Sequence, residues 1–146
     1  MDTGIVDQMT PGTNGSSDAA PQRNEADGGR PHRGVVMTGN DGVDGPKAFY
    51  IEIEARPGKE TEVEQMLRDI LACVEGEPAT GPWFGVRHSE TKFAIFEAFP
   101  NIAGRRAHVD GGGGDIFRDV QRMNAILERP AHVQKVDILL SKKIFT

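Results

Sequence analysis

The segment FAIFEAF constrains the fold of this chain more than any other feature, because it carries apolar side chains on both faces of a strand. Phe93, Ile95 and Phe99 alternate onto one face, and Phe96 lies on the other with two alanines. The last apolar segment, 131–144, is also apolar on both faces. Such strands need cover on both faces, and the helices of a small domain cover only one. We therefore predict that the second face packs on the sheet of a second copy, which gives a homodimer.

The remaining segments predict alternating strands and helices. We expect strands at 48–55, 82–88, 93–99 and 131–144. An amphipathic helix should run to Val74 and begin either at a Thr61–Glu64 capping box or nearer Gly58. A short helix through 109 capped by Asn101 and a helix from Asp115 to Leu127 should follow. The order β-α-β-β-α-β predicts an α+β, ferredoxin-like fold with a four-stranded antiparallel sheet, in which the first and third strands are central.

The first 47 residues differ in composition from the rest of the chain. They contain no aromatic residue, nine of the 18 glycines, and seven acidic against four basic residues. Such a segment buries too little apolar surface to offset its ordering entropy, and it lacks the apolar run of a signal peptide. We predict a disordered leader at 1–47 that is dispensable for folding, and a folded domain at 48–146.

Charge and cysteine content exclude several functions. The net charge of −5 argues against nucleic acid as the main partner, because phosphate binding needs a concentrated basic patch. The lone Cys73 provides neither a disulfide framework nor a CxxC metal site, so no metal site is predicted. No stretch is long and apolar enough to span a bilayer. We expect a cytoplasmic protein that does not bind membranes.

The segments WFGVRHSETKFAIFEAFPNIAGRRAH and VDILLSKK resemble the antibiotic biosynthesis monooxygenase family of dimeric α+β barrels. The resemblance covers about residues 48–143 and implies a homodimer with two sheets back to back and a cavity between sheet and helices in each subunit. Some members oxygenate phenols or quinols with no metal or flavin cofactor, because the substrate anion itself reduces dioxygen. Such chemistry needs an apolar pocket, a proton acceptor and a donor to the oxyanion.

Relatives with the same barrel cleave haem, using an asparagine on the first strand, a tryptophan ending the third strand and a helix histidine. This sequence matches only the histidine, as His108. Its first strand has no asparagine, and Phe99 stands where the tryptophan would be. We therefore predict that haem is not the cognate ligand.

His108 and Arg87 are the candidate catalytic residues. A neutral imidazole facing the cavity would accept a phenolic proton near pH 7, and the alternative is a histidine that ties its helix to the sheet. Trp83 and Arg87 share one face of a strand with Gly85 between them, which leaves a slot for a flat substrate. The alternative is a tryptophan that covers the core and an arginine paired with Glu97 or Glu52.

Trp83, Tyr50 and Phe99 are the candidate substrate contacts. Tyr50 shares its face of the first strand with Glu52, which is interpreted either as an ion-pair partner across the dimer or as a pocket acid-base group. The run GGGG at 111–114 lacks the Lys-Ser/Thr of a phosphate loop. It is interpreted as a flexible joint between two helices, with a lid or a plain loop as the alternatives.

Two functions fit these observations. The first is a cofactor-independent monooxygenase that acts on a small aromatic phenol or quinol. The second is a non-catalytic dimeric α+β barrel that serves as a binding or stress-response protein. Because one fold hosts both functions, the sequence leaves open whether the chain is an enzyme.

Overall fold

The computed structural model describes residues 30–142, and the chain divides after Pro31 into two units, of which the second holds the sheet and the helices. The elements are β1 (Val35–Thr38), β2 (Lys47–Glu54), α1 (Glu60–Val74), β3 (Trp83–Arg87), β4 (Lys92–Phe99), α2 (Ile102–Val109), α3 (Gly112–Arg118), α4 (Val120–Ile126) and β5 (Ala131–Asp137).

The sheet has the strand order β1-β5-β2-β4-β3. Strand β2 pairs antiparallel with both β4 and β5, and β3 pairs antiparallel with β4. These four strands confirm the predicted ferredoxin-like arrangement, with the first and third predicted strands in the middle. The sheet nevertheless has five strands rather than four, because β1 joins the outer edge of β5 in parallel.

The fifth strand comes from the segment that we predicted to be a disordered leader. Val35 pairs with Ala131 and Thr38 pairs with Gln134, so residues 35–38 belong to the sheet. The predicted domain start at Ala48 is also one residue inside β2. The leader prediction is therefore wrong for residues 30–47, because a four-residue strand does not stand out in a segment rich in glycine and proline. The rest of the predicted leader, residues 1–29, lies outside the described residues.

Periodicity predicted most of the core, but Leu71 and Val120, which are in phase with the apolar faces of their helices, are 37% and 48% exposed. The inward side chains are Phe49, Ile51 and Ile53 on β2, Phe93, Ile95 and Phe99 on β4, and Val63, Met66, Ile70 and Val74 on α1, and all of them are buried. Helix α1 starts nearer Gly58, since Lys59 precedes the helix and no side chain caps it. The Thr61–Glu64 capping box is therefore wrong.

The second half of the chain follows the prediction at α2 and departs from it afterwards. Oδ1 of Asn101 accepts a hydrogen bond from the Gly104 amide at 2.8 Å, which is the predicted cap. The predicted helix from Asp115 to Leu127 is instead two helices, because α3 already starts at Gly112 and the chain breaks at Asp119, whose carboxylate caps α4. The last strand, β5, ends at Asp137 and is half the predicted length.

The helices cover one face of the sheet, and no helix or strand of residues 30–142 covers the other, which we call the open face. Tyr50, Phe84 and Phe96 form one row across three strands of this open face, because Phe96 pairs with both of the others. These rings and Val86 are between 36 and 48% exposed. Within residues 30–142, no helix has the length and apolar character needed to cross a membrane.

Candidate functional site

His108 lies in the last turn of α2 with both ring nitrogens facing carboxylates. Its Nδ1 is 2.7 Å from Oε1 of Glu77, and its Nε2 is 2.9 Å from Oε2 of Glu97. The imidazole also packs on Phe99, with 5.2 Å between ring centroids, and on Phe49 at 6.2 Å. An imidazolium in this position donates one hydrogen bond to each carboxylate.

Glu97 brings a carboxylate to the covered face of the central strand β4. It alternates in phase with Ile95 and Phe99, and its side chain is 1% exposed. One oxygen, Oε2, faces His108, whereas Oε1 has no hydrogen-bond partner among residues 30–142. A buried carboxylate oxygen without a donor is energetically costly.

The two carboxylates determine the protonation of His108. Burial alone would lower the pKa of His108, but the hydrogen bonds and charges of Glu97 and Glu77 outweigh burial and raise the pKa above its ordinary value of 6.5. Oε1 of Glu77 also accepts a hydrogen bond from Thr80 Oγ1 at 2.8 Å, which fixes this carboxylate on the loop after α1. The two carboxylates therefore favour the protonated form of His108, which lies between them.

A small cavity of about 70 Å³ is lined by Glu97 and His108. The rest of its wall consists of Arg118 and of mostly apolar residues from the sheet and the helices, namely Val35, Met37, Phe49, Ile51, Val133, Val109, Gly114 and Phe117. Strand β1, inside the predicted leader, supplies part of this wall.

A second pocket of about 230 Å³ adjoins the first. The two share Met37, Phe49 and Val109 in their walls. The second pocket is lined mainly by charged side chains, which are Asp41, Arg105, Arg106, Asp110 and Lys135. The two pockets are therefore neighbours, one lined by the acid-base pair and mostly apolar residues and the other by the charged side chains.

The glycine run packs α3 closely against its surroundings rather than forming a joint. A Cβ on Gly113 would lie 3.2 Å from Cε1 of His108, and one on Gly112 would lie 2.9 Å from Sγ of Cys73. A Cβ on Gly111 would lie 2.8 Å from Glu77, and one on Gly114 would overlap the Val109 carbonyl oxygen. The predicted flexible joint is therefore wrong, because three of the four glycines form the first turn of α3.

The structure brings together only part of the predicted site. His108 and Phe99 are in contact, and both are buried. Trp83 and Arg87 do not line the cavity beside His108. The indole lies over Gly85 and fills the predicted slot, and the Arg87 guanidinium binds Glu64 at 2.8 Å rather than Glu97 or Glu52.

Tyr50 and Glu52 lie on the open face of the sheet, away from the helices. They line a separate depression of about 340 Å³ together with His88, Arg129 and His132. Nδ1 of His132 is 3.8 Å from the Glu52 carboxylate. Tyr50 therefore does not share a cavity with His108 within this chain.

Sequence reasoning missed Glu97 and Glu77. The signal for Glu97 was available, because it is the single charged residue in phase with Phe93, Ile95 and Phe99 on a central strand. A carboxylate on such a face needs a partner, and His108 was the candidate at hand. Glu77 had no comparable signal, because it comes from a loop. Within residues 30–142, no group of three or more His, Cys, Asp or Glu side chains is arranged to hold a metal ion.

Comparisons with known proteins agree with this architecture. No protein-family model matches the chain, and no curated protein matches it. Solved structures do match. A protein of unknown function from Nitrosomonas europaea, NE2512, is 27% identical, with a TM-score of 0.63 over 70% of this chain and 97% of that one.

Two further structures bear a more specific name. A "putative antibiotic biosynthesis monooxygenase" from Caulobacter crescentus is 19% identical, with a TM-score of 0.56 over 66% of this chain and 92% of that one. A second protein so named, from Nitrosomonas europaea, is 14% identical, with a TM-score of 0.58 over 66% and 93%. The chain therefore has the fold of the antibiotic biosynthesis monooxygenases, as the sequence resemblance implied.

Proposed function

We propose that the protein is a cofactor-independent monooxygenase that oxidises a small phenol or quinol, with Glu97 and His108 as its acid-base pair. The observation that carries this proposal is the buried carboxylate of Glu97, which has one oxygen without a donor among residues 30–142 and belongs to a residue that lines a mostly apolar cavity. A phenolic O–H supplies the donor that this oxygen lacks.

The proton transfer follows from the hydrogen bonds. Both nitrogens of His108 face carboxylates, so the group that accepts the substrate proton is Glu97 rather than His108 itself. The imidazolium, held between Glu97 and Glu77, offsets the negative charge that forms on the substrate. Arg87 has no part in this mechanism, since its guanidinium is bound to Glu64.

The substrate supplies the electrons for the oxidation. Once deprotonated, the electron-rich aryloxide reduces dioxygen, and one oxygen atom bonds to a ring carbon. The other oxygen leaves as water, so that a phenol and O₂ give a quinone and H₂O. The apolar wall around Phe49 and Phe117 keeps bulk water from the anion.

The dimensions of the site favour a single aromatic ring. Ligand pockets for drug-sized molecules measure roughly 300–1,000 Å³. A cavity of about 150 Å³ is enough to bind benzene. The cavity at Glu97, at about 70 Å³, is smaller than that, so a ring that contacts Glu97 would have to extend into the neighbouring pocket of about 230 Å³. The small volume at Glu97 is also the observation that favours the alternative function, a non-catalytic binding or stress-response barrel.

We further propose that the protein is a cytoplasmic homodimer whose subunits meet through the open sheet face. Support comes from the row Tyr50, Phe96 and Phe84, which leaves three aromatic rings partly in water. Contiguous apolar patches of this kind mark interaction surfaces. The depression at Tyr50 and Glu52 would then lie at the dimer interface rather than serve as the substrate pocket.

Oxygen uptake over a panel of single-ring phenols and quinols tests the proposed activity. We expect Glu97→Gln to reduce uptake roughly 10²-fold or more, because the amide cannot accept the proton. Glu62→Gln, on the exposed face of α1, is the matched control and should leave the rate unchanged. Equal rates in wild type and Glu97→Gln would remove Glu97 from catalysis. No uptake by the wild type on any panel member would favour the non-catalytic function.

A further inference from the structure

Three basic side chains converge on Asp41 in the second pocket. The Asp41 carboxylate accepts from Arg105 Nη2 at 3.1 Å and from Arg106 Nη2 at 2.8 Å, and Lys135 Nζ is 3.3 Å from the same carboxylate. Hydrogen bonds from Arg105 and Arg106 lower the pKa of Asp41 from 3.8 to about 2. The three cations therefore behave as a strong site for one oxyanion, and a residue of the chain now occupies it.

The basic cluster is built on a fixed support. Arg105 is 1% exposed, and its Nη1 donates to the carbonyl oxygens of Ala48 and Val136, so the guanidinium is held against the sheet. Among residues 30–142, the side chains of Arg106 and Lys135 pair with Asp41 alone, and they are 72% and 25% exposed. Two of the three donors are thus free to bind another anion if Asp41 moves aside.

Charge in this pocket remains positive even with Asp41 in place. Three cations line it against two carboxylates, Asp41 and Asp110. The pocket also shares the Phe49 ring with the cavity at Glu97. The Arg105 guanidinium carbon is 5.4 Å from the centroid of that ring, and the His108 imidazole lies on it at 6.2 Å. The Phe49 ring therefore contacts both His108 of the acid-base pair and Arg105 of the basic cluster.

We propose that Arg106, Lys135 and Arg105 bind an anionic group, a carboxylate or a phosphate, carried by the substrate, and that Asp41 occupies this position when no ligand is bound. The inference rests on the proposed function for the identity of the aromatic ring, but the anion site itself requires only binding. The substrate class becomes a hydroxylated aromatic acid or aromatic phosphate, with its hydroxyl at Glu97 and its anion at the basic cluster.

Calorimetric titration of the full chain with 4-hydroxybenzoate, phenyl phosphate and neutral phenol tests the inference. We expect at least one of the two anions to bind at least tenfold more tightly than phenol. The anion that binds more tightly shows whether the site prefers a carboxylate or a phosphate. Asp41→Asn should increase the affinity for that anion about tenfold or more, because it removes the competing carboxylate. Arg106→Gln combined with Lys135→Gln should remove the preference over phenol.

Arg68→Gln combined with Arg129→Gln removes the same positive charge from other exposed positions and should leave the preference intact. Equal binding of phenol and both anions by the wild type would overturn the inference. So would an anion affinity that is unchanged in Asp41→Asn or in the Arg106/Lys135 double variant. Because these measurements need no turnover, tight anion binding without oxygen uptake would retain the site and refute only the monooxygenase.

Discussion

Nε2 of His108 lies 2.9 Å from Oε2 of Glu97, a carboxylate buried on the central strand of the sheet. The His108 imidazolium has one further carboxylate partner, Glu77, on the far side of the ring. Glu97 has no other cationic partner among residues 30–142. Removing one partner of a buried ion pair costs more than the pair contributes, because the remaining charge stays in the core. The pair therefore governs both the acid-base chemistry of the cavity and the stability of the domain.

The pH dependence of folding follows from the raised pKa of His108. The folded state holds the imidazolium proton more tightly than the unfolded state, whose histidine pKa is near 6.5. The stabilisation is complete below the unfolded pKa and is lost as pH rises through the folded pKa. We expect the free energy of unfolding in urea to fall above about pH 7 in the wild type, and to fall less steeply in His108→Gln.

At low pH, His108→Gln should be less stable than the wild type by roughly 1–3 kcal/mol, because a neutral amide replaces only part of the hydrogen bonding that the imidazolium gives to the two carboxylates. His88→Gln, on an exposed turn, is the control and should keep the wild-type slope. Identical slopes in the wild type and His108→Gln would mean that the imidazole carries no extra proton in the folded state.

Replacing a glycine of the run 111–114 with alanine should change the free energy of unfolding in the direction opposite to that expected from helix propensity. Alanine in place of glycine inside a helix normally gains about 1 kcal/mol. At Gly114, however, a Cβ would overlap the Val109 carbonyl oxygen, and such overpacking costs roughly 1–3 kcal/mol. We expect Gly114→Ala to lower the free energy of unfolding in urea. Gly76→Ala, whose Cβ would meet its nearest neighbour at 3.8 Å, should be close to neutral. A stabilised Gly114→Ala variant would show that α3 has room to move.

Residues 30–46 should be needed for stability. Strand β1 covers the edge of β5, and the His32 amide donates to Asn124 Oδ1 at 2.7 Å, while Asn124 Nδ2 donates back to the His32 carbonyl at the same distance. We expect a chain that begins at Lys47 to melt at least about 5 °C below a chain that begins at Arg30, because the loss exposes the core beside β5. The two truncations differ only in residues 30–46. Equal melting temperatures would restore the original interpretation of this segment as dispensable.

Sequence reasoning was accurate where one physical signal dominated. Alternation in β2 and β4 predicted which side chains face the core, and Asn101 predicted the start of α2. It failed where tertiary contacts outweigh local preference. The first turn of α3 is helical despite the low helix propensity of glycine, and Cys73 and His108 leave little space there for a Cβ, which no local sequence pattern reveals. Of the two carboxylate partners of His108, Glu97 was recognisable as the single charged residue in an apolar alternation, whereas Glu77 comes from a loop and had no comparable signal.

The dimer proposal makes a prediction about the open face of the sheet. Wild-type protein at micromolar concentration should sediment as one species of twice the chain mass. Phe96 pairs with Tyr50 on one side and Phe84 on the other, so an aspartate at position 96 places a charge at the centre of the aromatic row. Burying an unpaired carboxylate between two sheets is costly, so Phe96→Asp should sediment as a monomer.

Val120→Asp introduces the same charge on α4, at a residue 48% exposed on the helical side, and should remain a dimer. If Phe96→Asp also stays dimeric, the subunits meet elsewhere, and if the wild type is itself a monomer, the exposed rings serve another purpose.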